Sequence, residues 1–315
     1  MIKFVLKKLL MVIPTMLGII LIVFLINKMT PGDPVAMMLG SDYTQEQYDE
    51  TREQLGLDDP VFVQFFNYIK GIVTHLDLGT SYATKRPVAT ELKGRILVSL
   101  KLGLISTLFT VLIGIPFGVI SATKQYSAMD YSVTFLSLFF SSVPNFWLSM
   151  MLILLFSLHL KWFPASGLDS LSAYIIPMIA TSVACISQVT RQTRSSMLEI
   201  IRQDYIRTAK AKGLSEFSII YKHALKNALI PVITIVGMQI GMIFGGSAVI
   251  EAIHNIPGMG TLLLSAIGNR DYPTLQSIVL VISAMVCIMN VVVDIVYGFV
   301  DPRIRAQYVT VKKTK

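Results

Sequence analysis

LGLISTLFTVLIGIPFGVISAT, residues 102–123, runs for 22 positions without a formal charge. A hydrocarbon core about 30 Å thick is crossed by about 20 helical residues rising 1.5 Å each. An apolar run of that length can satisfy its own N–H and C=O groups in lipid only as a helix. Five further segments meet the same test: residues 9–27, 131–160, 170–190, 227–250 and 272–293, the last continuing past Asp294 toward Val300. The expected fold class is therefore an all-α integral membrane protein with six transmembrane helices. The composition agrees: of 315 residues, 53% are hydrophobic and only 15% charged, with a mean hydropathy of +0.64. That is too little charge to cover a soluble domain of this length.

Two features could upset the count. Lys3, Lys7 and Lys8 precede the first run as in a signal peptide, but the run is too long and MTPGDPV (29–35) lacks an A-x-A-like cleavage site, so a retained anchor is expected. Residues 252–269 form a seventh uncharged stretch, interrupted by Pro257, Gly258 and Gly260. Charge asymmetry decides between six and seven. With six spans, the two termini and the second and fourth connections share one side and carry seventeen basic residues against Asp130, Glu199, Asp204, Glu216 and Asp301. The other side carries mainly residues 29–95, where ten acids outnumber six bases. The positive-inside rule then places both termini in the cytoplasm, and a seventh span would put the basic tail outside.

The net charge of +8 is spread over these short loops, a pattern that fits membrane topology and not nucleic-acid binding. Cys185 and Cys287 both lie in apolar runs, and His75, His159, His223 and His254 are scattered, so neither a disulfide framework nor a metal site is expected. In the external region, Thr44 with Gln47 reads as a capping box for a helix that Gly56 ends. Asp59-Pro60 starts a second helix whose Val61, Phe62, Phe65, Phe66, Ile69 and Val73 form an apolar stripe, expected to pack on the bundle. The alternative is a helix lying in the outer interface.

The longest cytoplasmic connection reads RQTRSSMLEIIRQDYIRTAKAKGLSEFSIIYKHALKNALIP, residues 191–231. Asp204 as N-cap and Gly213 as the residue past the end predict a two-turn helix over 204–213, and Ser215 can cap the helix that returns to the membrane. Such a slim basic helix, with Ala209 and Ala211 keeping it narrow and Arg207, Lys210 and Lys212 offering charge, is shaped to dock into an acidic cleft. An ordinary positive-inside loop is the competing reading.

This loop resembles the EAA motif of binding-protein-dependent ABC importers, in which E-A-A-x-x-x-G forms a coupling helix gripped by the ATPase. Arg207, Thr208 and Ala209 stand at E-A-A, Lys210, Ala211 and Lys212 follow, and Gly213 stands at the glycine. Lys226 occupies the place of the general motif's proline. Arg-Thr-Ala is similar to the dipeptide/oligopeptide branch, which includes nickel and glutathione importers. PGDPV (31–35), DLGTSY (77–82), RPV (86–88), SSVPNFW (141–147), NIPGMG (255–260), NRDYP (269–273) and VDPRIR (300–305) resemble that branch's first permease subunit, in order. The resemblance implies the type I ABC importer permease fold, set in the bacterial cytoplasmic membrane. It also implies a heterodimeric second permease, two ABC ATPases that hold the ATP and Mg, and an extracytoplasmic substrate-binding protein. The transported substrate would be di- or oligopeptides, with nickel chelates or glutathione as alternatives.

On this reading residues 1–95 are the first span plus the extracytoplasmic region, 96–304 the core permease domain and 305–315 a cytoplasmic tail. No G-x-x-x-x-G-K-[ST] occurs, so hydrolysis belongs on a partner and no catalytic residue or cofactor is expected in this chain. Pro144 removes a helical donor, and Ser141, Ser142 and Asn145 beside it either satisfy freed backbone groups or, with Gln239 and Met242, line a translocation pathway. Gln188 and Asn290 are expected to tie helices together, and Asp294 to pair with a basic residue near the cytoplasmic end. Asn269, Arg270 and Asp271 are candidates to face the binding protein. Gly237, Gly241 and Gly245 recur every four residues, which suits close helix packing inside the subunit or a seam with the second permease. An ion-coupled transporter would need charged residues near the midplane, and a membrane protease a dyad or metal motif; neither pattern is seen.

Overall fold

The computed structural model describes residues 2–30, 32–40 and 42–300, with backbone alone at 2–5, 7, 242–246 and 297–300. The VDPRIR motif beyond Val300 and the basic tail lie outside the described residues.

Helix α1 (Ile2–Met29) is followed by three short helices, α2 (Pro34–Leu39), α3 (Gln45–Gln54) and α4 (Val61–His75). A long α5 (Val88–Thr123) comes next, then α6 (Ala128–Ser142) and α7 (Asn145–Leu152), which continues as a π-turn over Ile153–His159. Helices α8 (Ile175–Ile201) and α9 (Asp204–Ala211) follow, and a π-turn over Ser218–Ala224 leads into α10 (Leu225–Gly246). Two short helices, α11 (Ala248–Ile253) and α12 (Met259–Gly268), precede the last, α13 (Tyr272–Val300).

Five helical stretches are long and apolar enough to cross a bilayer, and the count is six where the bent pair 128–142 and 145–159 is taken as one span. The pair replaces the single span expected over 131–160. Val143 and Pro144 are both extended, because proline drives the residue before it out of the helical region, and the two halves meet at 99°. Each half has 15 residues, about 22 Å of helix, short of a membrane core. The break is thus a change of direction and not a kink.

Two other spans are longer than their apolar runs. Helix α5 begins fourteen residues before 102, and α8 carries Arg191, Arg194 and Glu199 beyond the apolar limit at 190. Charge stops a span but does not stop a helix once the chain has left lipid. The fifth span ends at Gly246 and not at 250, because the chain turns at Ser247 into α11.

The principal seam joins α5 to α8 through small residues: Ser106, Thr110, Gly114 and Gly118 on one side, Ala180, Ser182, Val189, Thr190 and Thr193 on the other. A Cβ at Gly114 would sit 2.8 Å from the Val189 side chain, so the axes approach as closely as helix packing in lipid favours. Gly237 and Gly241 meet Val293 and Val286 of α13, so this part of the glycine stripe packs inside the subunit.

The capping box at the start of α3 forms as expected, with Thr44 N donating to Gln47 Oε1 (2.9 Å) and Gln47 N to Thr44 Oγ1 (3.2 Å). The α4 stripe does not pack as expected. Phe65 meets Phe24 of α1 edge-on at 5.4 Å, but Phe62, Phe66 and Val73 stay exposed, since the helix touches the bundle along only one edge.

Candidate functional site

Helix α9 projects, with two faces, from the end of the bundle that the charge pattern assigns to the cytoplasm. Ile206 and Ala209 are buried in an apolar cluster with Val119 and Ala122 of α5, Met197 of α8, and Ile219, Ala224 and Ala228 of the returning helix. Arg207, Thr208, Lys210, Ala211, Lys212 and Gly213 all face outward. The slimness attributed to both alanines therefore splits: Ala209 is an anchor, and only Ala211 is part of the outer face. Asp204 is the first helical residue and not the N-cap; Gln203 holds that place in extended backbone without a side-chain cap, because the helix starts one residue early. Arg207 pairs with Asp204 at 3.8 Å, but both are exposed, so the pair adds little stability.

The far end closes as a Schellman motif. Gly213 N donates to the Lys210 carbonyl (2.9 Å) and Leu214 N to that of Ala209 (3.4 Å), with Gly213 at φ +75°. No neighbour lies within 4 Å of a Cβ built there, so it is the left-handed backbone and not crowding that requires glycine. Ser215 then caps the return helix through Ser218 N (3.4 Å). Asn227 Nδ2 donates to Tyr205 Oη (2.8 Å), tying α9 to α10, and α10 runs unbroken through Lys226, where the general motif has proline. Next to this, Arg194 of α8 grips Asp130 of α6 through two bonds of 2.7 and 2.8 Å, and Ser121 of α5 and Tyr126 N complete its carboxylate. Nothing in the charge pattern singled out Asp130, which lies at the end of an apolar run and reads as a loop acid.

The opposite end is held by buried carboxylates. Glu251 accepts from Ser99 Oγ (2.7 Å), Ser247 Oγ (3.0 Å), Gly260 N (2.8 Å) and Thr261 N (3.1 Å). It is completely buried and binds α11, α12 and α5 together. A Cβ at Gly258 would fall against this carboxylate and 2.6 Å from Ser99 Oγ, which is why the IPGMG segment needs glycine there. Sequence reasoning passed over Glu251 because it stands between two uncharged runs; the clustered glycines nearby were the available signal. His254, also buried, shares a 2.8 Å hydrogen bond with Ser149 of α7, so the broken span is fastened to the same loop.

Of the three residues expected to face a binding protein, Asn269 and Arg270 are exposed and Asp271 is not. Asp271 accepts from Ser81 Oγ (2.5 Å), Tyr82 N (3.0 Å) and Thr274 Oγ1 (2.8 Å), so the NRDYP motif holds the DLGTSY loop in place. The reason is register: a left-handed Arg270 turns the carboxylate inward.

The pathway candidates are not brought together. Ser141 and Ser142 both donate to the Leu138 carbonyl (2.9 and 3.0 Å), and Asn145 starts α7. Gln239 is buried between α10 and α5, where its Nε2 donates to Thr110 Oγ1 (3.3 Å), so it joins helices. The side chain of Met242 lies outside the described residues. Gln188 and Asn290 are exposed on the bundle surface and join no helices among the described residues, whereas Asp294 pairs with Lys8 of α1 at 2.9 Å. Among the described residues no three His, Cys, Asp or Glu side chains cluster as metal ligands.

A multi-spanning helical bundle with a short basic helix seated at one end is the architecture of a membrane component. The comparisons specify which. Residues 114–306 match the family model of the binding-protein-dependent transport system inner membrane component, and residues 1–103 match the N-terminal model of such components. The chain belongs to this family.

It is 39% identical over 315 residues to the oligopeptide transport system permease protein AppB of Bacillus subtilis, covering 96% of this chain and 99% of that one. It is 38% identical to the dipeptide permease DppB of Escherichia coli K12 and 40% identical to the glutathione permease GsiC of Salmonella typhimurium, each match covering 97% of this chain and 99% of the relative. Its fold matches an inward-facing structure of the MetNI methionine ABC transporter at TM-score 0.57, with 19% identity, over 67% of this chain and 96% of that one.

Proposed function

We propose that this chain is the first of two permeases in an ATP-driven importer of di- and oligopeptides, and that α9 is the element through which partner ATPases drive it. The observation that carries the proposal is the two-faced α9. Its outer face offers Arg207, Lys210 and Lys212 to a partner, while Ile206 and Ala209 are seated among side chains of α5, α8 and α10. A push on the outer face is therefore delivered to three spans at once. ATP and Mg would be held by the two ATPases, and this chain performs no covalent chemistry.

In the cycle we envisage, ATP closes the ATPase dimer, α9 moves with it, and the cavity shared with the second permease opens toward a docked external binding protein. Hydrolysis returns the pair to the inward-facing state. The positive-inside argument places α9, both termini and the Arg194–Asp130 clamp on the cytoplasmic side. Exposed Gln188 and Asn290 on the spans are suited to a polar seam with the second permease. Peptides are favoured because two of the relatives named above are peptide permeases; glutathione, itself a modified tripeptide, is the second reading, since a glutathione permease matches equally well.

The test is ATPase activity of the complex assembled with its ATPases and second permease. Loaded binding protein should stimulate hydrolysis in the wild type and not in Gly213→Trp, whose left-handed position cannot hold tryptophan without strain. Dipeptide-loaded and glutathione-loaded binding proteins give the two substrate arms. A chain that binds no ATPase, or that moves solute alone on an ion gradient, would overturn the proposal.

A further inference from the structure

A cavity of about 510 Å³ opens on the external region, between the end of α1, the α3–α4 connection and the start of α13. Its lining is rich in donors. Asn27 is 93% buried, and its Nδ2 has no hydrogen-bond partner; the hydroxyl of Tyr272 is likewise buried and unpartnered. Lys28 and Arg52 also line it, against Asp59 as the lining acid. The Arg52 charge is already met by Asp58 at 2.6 Å, whereas Lys28 has no acidic partner within 4.0 Å among the described residues. A buried amide N–H or phenol O–H left without an acceptor costs about 1–3 kcal/mol, and an anion seated here would accept from both while facing the exposed Lys28 ammonium.

We infer that this cavity is an anion site, with Lys28, Asn27 and Tyr272 donating to a phosphate-bearing group of head-group size. The volume is many times that of a lone phosphate ion and leaves room for what the phosphate is attached to. The position agrees: Asn27 and Lys28 stand at the end of the first span, where a lipid phosphate lies, and Phe62 and Phe66 of the adjacent α4 are exposed apolar groups suited to that boundary. The same chemistry could be supplied by a soluble phosphate compound. The site serves the external region and does not depend on which substrate is carried.

The experiment uses the full-length chain in its transporter complex. Complexes are exchanged into phosphatidylcholine vesicles doped with phosphatidylglycerol, and retained lipid is counted by native mass spectrometry. A second arm titrates inorganic phosphate into lipid-depleted detergent complexes and follows the melting temperature. Wild type should retain phosphatidylglycerol about tenfold more tightly than Lys28→Gln, the effect expected from losing one charge-assisted hydrogen bond. Tyr272→Phe, which removes only the hydroxyl, should give a smaller loss in the same direction and keeps the test valid should Lys28→Gln fail to assemble. Retention without a response to phosphate identifies a lipid site, and a phosphate response alone identifies a solute site. Equal retention and equal melting shifts in wild type and both variants would overturn the proposal.

Discussion

The seat of α9 and the opposite end of the bundle are held by different forces. At the end that the charge pattern assigns to the cytoplasm, α9 is seated by Ile206 and Ala209 in a cluster of aliphatic side chains, with Asn227 to Tyr205 and Tyr205 to the His223 carbonyl as its long-range polar ties and the Arg194–Asp130 clamp fastening the neighbouring helices. At the other end, which the charge pattern assigns to the outside, Glu251 and Asp271 each collect several hydrogen bonds from separate helices and loops, and His254 fastens the broken span to them. Apolar contacts tolerate small sliding, because they lack direction. Buried hydrogen-bond networks do not, because a donor moved out of reach keeps its full desolvation cost. If α9 receives a push, its seat is built to shift as a packed unit, and the opposite end to stay in register.

The strongest way to break this contrast is to remove a carboxylate. Glu251→Leu leaves Ser99, Ser247, Gly260 N and Thr261 N without an acceptor inside the protein. At about 1–3 kcal/mol for each stranded donor, the expected result is failure to yield folded complex, read by fluorescence-detected size exclusion. Glu251→Gln, of the same shape, should recover part of the yield. A monodisperse, wild-type-like Glu251→Leu protein would show that the external end is held by something else.

Next in size is Ile206→Ala. Truncating a fully buried isoleucine costs about 2–5 kcal/mol where the site cannot collapse, but here the loss is confined to the seat of one short helix. The complex should therefore still fold, with basal ATPase retained and stimulation by loaded binding protein lost. Equal stimulation in Ile206→Ala and wild type would show that motion does not enter through this cluster.

His254 tests the external end by pH. Burial disfavours its charged form and lowers its pKa below the ordinary imidazole range, with a bond to the Ala165 backbone offsetting this in part. A group whose folded pKa is depressed gives stability that is present above the unfolded value, about 6.5, and is lost as pH falls through the folded value. The melting temperature should thus fall on acidification below that range, and the slope should be shallower in His254→Gln. Parallel pH profiles would remove His254 from the account of external rigidity.

Much of this could be read from the sequence, and the exceptions share a cause. The spans were legible because lipid leaves an apolar backbone one solution, and the end of α9 was legible because Gly213 carries a local backbone requirement, whereas its start at Gln203 has no side-chain cap to read. Glu251, His254 and Asp130 were not, because each is satisfied by residues far away in the chain: Ser99 lies 152 positions from Glu251, and Ser149 lies 105 from His254. Asp271 was placed on the surface for the same reason, its main partner Ser81 being 190 positions distant. The break at Pro144 was legible as a proline effect, but its 99° size depends on Val143 and Pro144 both being extended, which composition does not dictate.

The smallest effect on stability is the one that most sharpens the comparison. Arg207 is 76% exposed, and its 3.8 Å pair with Asp204 lies in full solvent, so Arg207→Ala should leave the melting temperature of the isolated permease pair unchanged within error. If α9 meets an ATPase through its outer face, the same substitution should weaken assembly with the ATPases and make it less sensitive to salt, because a lost interfacial charge removes a screened attraction. Pull-down of the ATPases across a salt series reads both effects. Arg207→Lys should restore the salt dependence but less of the affinity, since an ammonium lacks the planar fork of a guanidinium. A variant with unchanged ATPase binding at every salt concentration would place the docking energy on the rest of α9, and would make Arg207 a soluble surface residue like those at any helix end.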